Sequence, residues 1–205
     1  DPEAPVVMIR PYGSAAPMTA PATAPEVLAW ARRGVVLTVE PSDYDANDTW
    51  AFEVVEAGEE LVLRVTMGDE VVAERMRFTT RALERATKLV AFSQGSADVD
   101  VKKPIDKALP FLLSRAARKS LTSGSSLAFT SEHTTTELAA TPGQVTVRVN
   151  DVEKPVAVLV ASGEGATLTV LDDAAWPLVL DRTEGDCYVR VVELDTTKAT
   201  LVATA

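Results

Sequence analysis

The sequence predicts an α+β fold in which a mostly antiparallel, curved β-sheet packs on two central helices. Three observations support this class: alternating apolar residues and glycine-containing turns over residues 35–78, a helical apolar period over residues 79–121, and a return of strand patterns over residues 125–203. The order of strands, helices and strands is typical of α+β proteins and differs from alternating βαβ units. With 205 residues and 46% apolar side chains, the chain is long enough to bury a sizeable core.

Residues 1–25 are predicted to form a proline-rich arm that precedes a single domain at residues 26–205. Half of the 12 prolines lie in this arm. Such Ala/Pro/Thr-rich composition forms extended, semi-rigid connectors. We therefore expect either a tether from an anchor or a surface loop after a short edge strand at residues 6–10. The chain begins with Asp1, which indicates a processed product.

The domain is predicted to begin with a short helix. Thr23 and Glu26 fit a capping box and Gly34 fits a C-terminal cap, so the helix is expected at about residues 24–33. Four strands are expected next, at residues 35–40, 50–56, 60–66 and 70–78. The last three should form a meander, because glycine-containing turns separate them.

The middle of the chain changes to a helical period. Leu83, Ala86 and Leu89 follow one face of a helix expected over residues 80–93. A second helical region is expected over residues 104–121, with a kink or a new start at Pro110, because proline removes a hydrogen-bond donor. Its predicted apolar side comprises Ile105, Leu109, Leu112, Leu113 and Ala116.

Strand patterns return in the last third of the chain. The expected strands are residues 125–130, 144–150, 155–161, 166–171, 177–181 and 187–194. Glycine-containing turns at residues 162–165 and 184–186 predict two hairpins. Antiparallel pairing of these strands completes the predicted sheet.

Basic residues are concentrated in the stretch that carries the helical period. Residues 75–120 hold 11 of the 20 Lys and Arg but only 4 of the 30 Asp and Glu, a net charge of +7 in a chain of net charge −10. Separate surfaces of opposite sign steer charged partners. Positions 77, 81, 85 and 88 would share one stripe if the helix began early. This stripe is either a solvated helix face or a contact for lipid headgroups, an acidic protein surface or a wall polyanion.

A polar motif at residues 43–48 resembles the start of an EF-hand calcium loop. Asp43, Asp45 and Asn47 alternate as the first ligands of that loop do. Asp48 stands where the loop needs glycine, and Val54 stands where it needs a closing carboxylate. A polar turn before the next strand is the alternative interpretation, and we predict no metal site.

Candidate catalytic residues are few. Cys187 and His133 are the only cysteine and histidine, and no GxSxG motif is present. Asp172, Asp173 and Asp181 offer carboxylates at strand ends, where such residues are common in turns. The sequence therefore predicts no catalytic residue, no cofactor and no classical zinc site.

Composition also disfavours two classes of partner. An acidic chain with 5% aromatic residues is a poor nucleic-acid platform. No apolar run approaches the roughly 20 residues that span a bilayer. The Ala/Val/Arg-rich composition favours a bacterial origin, and the proline-rich start favours a periplasmic or secreted location.

Three functions remain open from the sequence. The first is a noncatalytic binding domain outside the cytoplasm that holds an apolar or lipid-like ligand near a basic rim. The second is a protein-interaction or structural envelope domain with a filled core. The third is a hydrolase that uses Cys187 with His133, or a carboxylate pair. The predicted binding residues are the cations Arg81, Arg85 and Lys88 and the leucines Leu109, Leu112 and Leu113.

Overall fold

The computed structural model describes residues 30–41, 49–89, 92–93, 96–97, 103–130, 135–185 and 187–199. Outside the described residues lie the predicted arm at residues 1–25 with its edge strand, the calcium-like motif of Asp43, Asp45 and Asn47, Lys102, His133 and the side chain of Cys187.

Strands account for most of the described chain, and the helices within it are short. In chain order the elements are β1 (Val36–Pro41), β2 (Trp50–Ala57), β3 (Leu61–Met67), β4 (Glu70–Phe78), α1 (Thr80–Arg85), β5 (Lys88–Leu89), β6 (Phe92–Ser93), β7 (Ser96–Ala97), β8 (Ala108–Leu109), α2 (Arg115–Thr122), β9 (Leu127–Thr130), β10 (Thr135–Val149), β11 (Val152–Gly163), β12 (Ala166–Leu171), β13 (Val179–Glu184) and β14 (Cys187–Asp195).

The sheet is mostly antiparallel, as predicted. Its strand order is β4-β3-β2-β1-β14-β13-β12-β11-β10-β9-β5-β8, and β6 pairs only with β7 in the described chain. Among the described residues, parallel pairing is confined to β5 with β8 and β9, one bridge between β10 and β14, and one bridge between Phe78 of β4 and Ile105. Hairpins therefore build most of the sheet, because antiparallel neighbours can be joined by tight turns.

The predicted meander of β2, β3 and β4 is confirmed. Phe52 of β2 lies opposite Val65 of β3, and Leu63 of β3 lies opposite Met76 of β4. All four side chains are buried. Buried residues therefore lie opposite one another on adjacent strands, as expected for a sheet with one covered face.

Both predicted hairpins in the last third are confirmed, and a third turn adds to them. Gly163 lies opposite Ala166, and Glu184 lies opposite Cys187. The sequence pattern does not predict the turn between β10 and β11, at 150–151, nor that β10 begins well before residue 144. The turn residues Asn150 and Asp151 have positive φ angles of 51° and 62°, which is the signature of a type I′ hairpin turn.

One bridge bends the sheet into a ring. Val149 at the end of β10 pairs in parallel with Leu194 of β14. Because β10, β11, β12, β13 and β14 are already consecutive neighbours, this bridge closes the five strands on themselves. Both bridging side chains are buried. The predicted curvature of the sheet is thus extreme in this half of the molecule.

Both helices are shorter than predicted, so the sheet dominates the fold more than a class with two central helices implies. The helix predicted over residues 80–93 ends at Arg85, and Lys88 begins β5. The helix predicted over residues 104–121 begins only at Arg115. Ser114 caps it by accepting a hydrogen bond from the backbone N of Ala117 at 3.2 Å.

Backbone hydrogen bonds to the sheet explain why residues 104–114 are not helical. Ile105 N donates to Arg77 O at 2.8 Å, and Leu113 N donates to Pro177 O at 3.0 Å. Pro110 has no N–H to contribute to a helix. The helical spacing of apolar residues in this segment therefore arises from burial of an irregular, non-helical chain.

The helix predicted at residues 24–33 is not present in its described part, residues 30–33. Arg32 N donates to Trp30 O at 2.8 Å, and Val35 N donates to Arg32 O at 3.1 Å, so the chain turns. Trp30 is fully buried, and its Nε1 donates to Trp176 O at 3.0 Å. Anchoring of this indole to a distant segment fixes the entry into β1.

A cluster of buried apolar side chains connects the sheet with both helices. Phe111 meets Phe52 of β2 edge to face, with ring centroids 4.5 Å apart. Leu83 of α1 and Leu121 of α2 are also buried in this cluster. Such packing orients the outer sides of α1 and α2, where the candidate site lies.

Candidate functional site

Two walls, α1 and the segment that leads into β8, enclose a cleft. Thr79, the N-cap of α1, donates from N to Ile105 O at 3.1 Å and from Oγ1 to Asp106 Oδ1 at 2.6 Å. The parallel pairing of β5 with β8 places Lys88 opposite Ala108. Both ends of the cleft are therefore held by hydrogen bonds between its walls.

Four cations line this cleft, which has a volume of ≈ 380 Å³. Arg81 and Arg85 share one face of α1, because residues four apart are neighbours on a helix. Lys88 begins β5, and Lys107 directly precedes β8. All four are exposed, and within the described ranges none of their side chains forms a hydrogen bond or an ion pair. We call this cavity the basic cleft; its other described lining residues are Thr87 and Asp106.

Four other basic residues of the same stretch form ion pairs with acidic neighbours. The pairs are Arg75–Glu56, Arg77–Glu60, Arg115–Glu84 and Arg118–Asp172. A hydrogen bond of 2.7 Å from Arg77 to Glu60, followed by the attraction of the same carboxylate, raises the pKa of Arg77 above its ordinary value. These four arginines each have a carboxylate partner, which distinguishes them from the four cations of the basic cleft.

Among the described residues that line the basic cleft, Asp106 is the one carboxylate beside the four cations. Among the described residues only Thr79 donates to it, through Oγ1 to Oδ1. Thr87 adds an exposed hydroxyl to the lining. The cleft thus carries a strong excess of donors, which suits an anionic group.

An apolar crevice of ≈ 170 Å³ adjoins the basic cleft, between the end of α1 and α2. Its apolar lining includes Leu112, Leu113 and Ala117, which are buried. Ser114 Oγ donates to Ala86 O at 2.8 Å and so holds α2 against the end of α1. The crevice is therefore bounded by a fixed junction of the two helices.

The basic cleft and the apolar crevice share one wall. Arg85, Thr87 and Lys88 line both cavities. A molecule with a charged end and an apolar end can therefore contact both cavities at once. Ligand sites in proteins commonly combine an apolar lining with a few polar groups that fix orientation.

The three predicted cationic residues lie together, but not as the predicted helical stripe. Arg81 and Arg85 lie on α1, and Lys88 joins them from β5. Arg77, which the spacing places on the same stripe, lies on β4 and pairs with Glu60. Helix covers only part of the predicted stripe because the chain leaves α1 after Arg85.

The three predicted leucines are divided between the crevice and the core. Leu112 and Leu113 line the apolar crevice. Leu109 lies in β8, is fully buried and lines neither cavity. None of the three is helical, because residues 104–114 form an irregular segment in which only Ala108–Leu109 is a strand.

Sequence reasoning missed Thr87 and Asp106 and assigned Lys107 to a helix. One sequence signal does argue against a helix at Asp106 and Lys107, because Pro104 and Pro110 flank them. The pairing of this segment with β5 joins residues that are distant in sequence, and no local pattern predicts it.

Each of the three carboxylates considered as candidates for acid chemistry has a structural partner. Asp172 pairs with Arg118 at 2.5 Å, and Asp181 pairs with Arg190 at 2.9 Å. Asp173 Oδ1 accepts hydrogen bonds from two backbone amides of the turn that follows it. Within the described ranges, no group of three or more His, Cys, Asp or Glu side chains is placed to hold a metal ion.

Comparisons with known proteins identify no relative of the chain: no protein-family model, curated protein or solved structure matches it. In the described part of the chain, neither helix has the length and apolar character needed to cross a membrane.

Proposed function

We propose that this chain is a noncatalytic binding domain that acts outside the cytoplasm and holds an amphiphilic, lipid-like ligand. The anionic group of the ligand occupies the basic cleft, and an adjoining apolar portion enters the apolar crevice. The proposed location rests on the proline-rich composition of residues 1–25.

The shared wall carries this proposal. Arg85, Thr87 and Lys88 border a cavity with a cationic lining on one side and a cavity with an apolar lining on the other. A solvated charged face would not need an apolar crevice beside it. The pairing of opposite chemistries fits a ligand that itself has two such ends.

Electrostatics supports an anionic group in the basic cleft. Arg81 and Arg85 are like charges at i and i+4 on α1, an arrangement that destabilises a helix by about 0.2–0.5 kcal/mol. Lys88 and Lys107 add two more positive charges across the cleft. An anion that binds among them removes this repulsion and gains charge-assisted hydrogen bonds.

The edge of β4 favours a second candidate function, a protein-interaction or structural domain. β4 ends the strand order of the sheet, so in the described chain it has a strand neighbour on one side only. Val71 and Val72 on this strand are each 38% exposed. On the other side of β4, the described chain bonds to this strand only near Phe78, through Ile105. The rest of that edge, with its apolar side chains, is a template for pairing with another chain.

Mass spectrometry of an organic extract of the purified protein gives the first test. We expect a stoichiometric amphiphile with an anionic group, either directly or after incubation with a membrane lipid mixture. A clean extract under both conditions contradicts the proposal and favours interaction through β4.

Charge-matched variants test the site. Arg81→Gln/Arg85→Gln should weaken binding of octyl phosphate, measured by calorimetry, by about 10–100-fold, since charge-assisted hydrogen bonds are strong and each tenfold is 1.4 kcal/mol. The control Arg32→Gln/Arg33→Gln removes the same charge from two other exposed positions and should change affinity less than about threefold. Equal losses in both double variants would assign the effect to overall charge and contradict the site.

A second variant tests the apolar crevice separately. Ala116 is exposed on α2 and lines the crevice, so Ala116→Phe fills it without creating a cavity in the core. We expect weaker binding of octyl phosphate with little change in the binding of inorganic phosphate. Unchanged octyl phosphate binding would place the apolar portion of the ligand elsewhere.

A further inference from the structure

We propose that the anionic group in the basic cleft is a phosphate monoester with a neighbouring hydroxyl, as in a glycerol phosphate headgroup. This inference rests on the proposed function and specifies the ligand class of the same site. Two observations carry it: four cations around one cavity, and one carboxylate held among them.

The number of cations favours a dianion. A carboxylate or a sulfate monoester brings one negative charge, whereas a phosphate monoester brings about −1.5 to −2 at neutral pH and three strong acceptor oxygens. Arg81 and Arg85 approach from α1, and Lys88 and Lys107 approach from β5 and the entry to β8. A tetrahedral group offers oxygens in several directions, which matches donors that approach from different walls.

The guanidinium groups add geometric preference. Arginine presents a planar fork of donors that binds phosphate through paired hydrogen bonds. Lysine contributes a point charge with rotatable donors. Two of each around one cleft provide both orientation and charge for a phosphate.

Asp106 indicates the second feature of the ligand. An ionised carboxylate is an acceptor only, so it opposes a bare anion in the same cleft. Thr79 Oγ1 holds its Oδ1 at 2.6 Å, and no other described residue donates to it. A ligand hydroxyl beside the phosphate would donate to Asp106 while the phosphate meets the cations.

Calorimetry with a matched series tests the class at pH 8, above the second phosphate pKa of about 6. The probes share an eight-carbon chain: 1-octanoyl-glycerol 3-phosphate, octyl phosphate, octyl sulfate and octanoate. We expect the glycerol phosphate ester to bind about 10-fold more tightly than octyl phosphate, because a hydrogen bond to a charged acceptor is stronger than a neutral one. Octyl phosphate should in turn bind about 10-fold more tightly than either monoanion.

Asp106→Asn tests the role assigned to the carboxylate. The amide oxygen still accepts from Thr79, but the charged acceptor is lost. The affinities of the glycerol phosphate ester and octyl phosphate should therefore differ by no more than about twofold. Asp69→Asn, at an exposed turn position, is the control and should leave the ratio unchanged. An unchanged ratio in Asp106→Asn overturns the hydroxyl contact.

The outcomes separate this inference from the proposed function. Octanoate or octyl sulfate binding as tightly as octyl phosphate overturns the phosphate class and leaves an anionic amphiphile site. Failure of all four amphiphiles to bind overturns both. Free glycerol 3-phosphate binding as tightly as its octanoyl ester supports the phosphate class and overturns the lipid-like ligand.

Discussion

Asn150 and Thr196 exchange two hydrogen bonds across 46 residues of sequence. Asn150 Nδ2 donates to Thr196 Oγ1 at 2.8 Å, and Thr196 N donates to Asn150 Oδ1 at 2.7 Å. A third bond joins Asn150 N to Leu194 O at 3.0 Å. These contacts lie beside the bridge that closes the strand ring, so the β10–β11 turn also fastens the end of β14.

Asn150→Ala should destabilise the protein by about 1–3 kcal/mol, because two side-chain hydrogen bonds are lost and alanine is strained in the left-handed region. Asn150 has a φ of 51°, which asparagine tolerates better than most residues. Urea unfolding measures the loss. Asn150→Gly removes only the hydrogen bonds and should cost less; equal costs would show that backbone strain contributes nothing.

Gly34→Ala should destabilise the folded protein by at least about 2 kcal/mol, because strain at a positive φ adds to a steric clash. Gly34 has a φ of +86°, and a Cβ there would lie 2.2 Å from Lys198 O. Gly124→Ala is the matched control, with a φ of +74° and no atom within 4 Å of the added carbon. The melting temperature of Gly34→Ala in thermal unfolding should lie well below that of the control. Similar melting temperatures would contradict the clash.

Local patterns predicted the antiparallel strands well because their information lies in adjacent residues. β4 has the predicted bounds, since glycine at one end and a helix cap at the other delimit its alternation. The predicted helices were longer than the observed ones, because leucines can also follow a helical spacing in a buried, non-helical segment. Only the distant bonds of Ile105 and Leu113 to the sheet distinguish the two.

The candidate site was predictable only where it is local. Arg81 and Arg85 follow from i and i+4 spacing on a helix. Lys107 and Asp106 join them through the pairing of Lys88 with Ala108, which is not encoded near either segment. The charge count of residues 75–120 nevertheless indicated the region, because all four cations of the cleft belong to this stretch.

Thr197→Val should raise the pKa of Asp195 towards its ordinary value of 3.8. Thr197 donates to Asp195 Oδ1 from Oγ1 at 2.6 Å and from N at 2.8 Å, and these bonds lower the pKa of Asp195 in the folded protein, the hydroxyl having the larger effect. Carbon-detected NMR titration of the carboxyl group measures the change. Thr122→Val, on α2, is the control and should leave this pKa unaltered.

The same pair predicts a pH dependence of stability. Because folding lowers the pKa of Asp195, its contribution is fully present above the unfolded value and is lost as the pH falls through the folded value. The stability advantage of the wild type over Thr197→Val should therefore shrink as the pH falls below 3.8. Unfolding curves between pH 2 and 6 test this; a constant difference would mean that Thr197 acts without the charge of Asp195.

Ser114→Ala should destabilise the junction of α1 and α2 by about 2–3 kcal/mol, because it removes a helix cap and leaves buried polar groups unpaired. Ser114 is 2% exposed, donates to Ala86 O and accepts from Ala117 N. Urea unfolding measures the loss, and Ser123→Ala, an exposed position at the other end of α2, should cost under about 1 kcal/mol.

Ligand binding gives Ser114→Ala a second readout. The Ser114 hydroxyl holds Ala86 beside the wall that the basic cleft and the apolar crevice share. Loosening that junction should weaken octyl phosphate binding even in urea-free buffer, where most of the variant is folded. Hydrogen exchange should also show faster exchange of the α2 amides. A destabilised variant with wild-type affinity would indicate that the crevice does not depend on the capped junction.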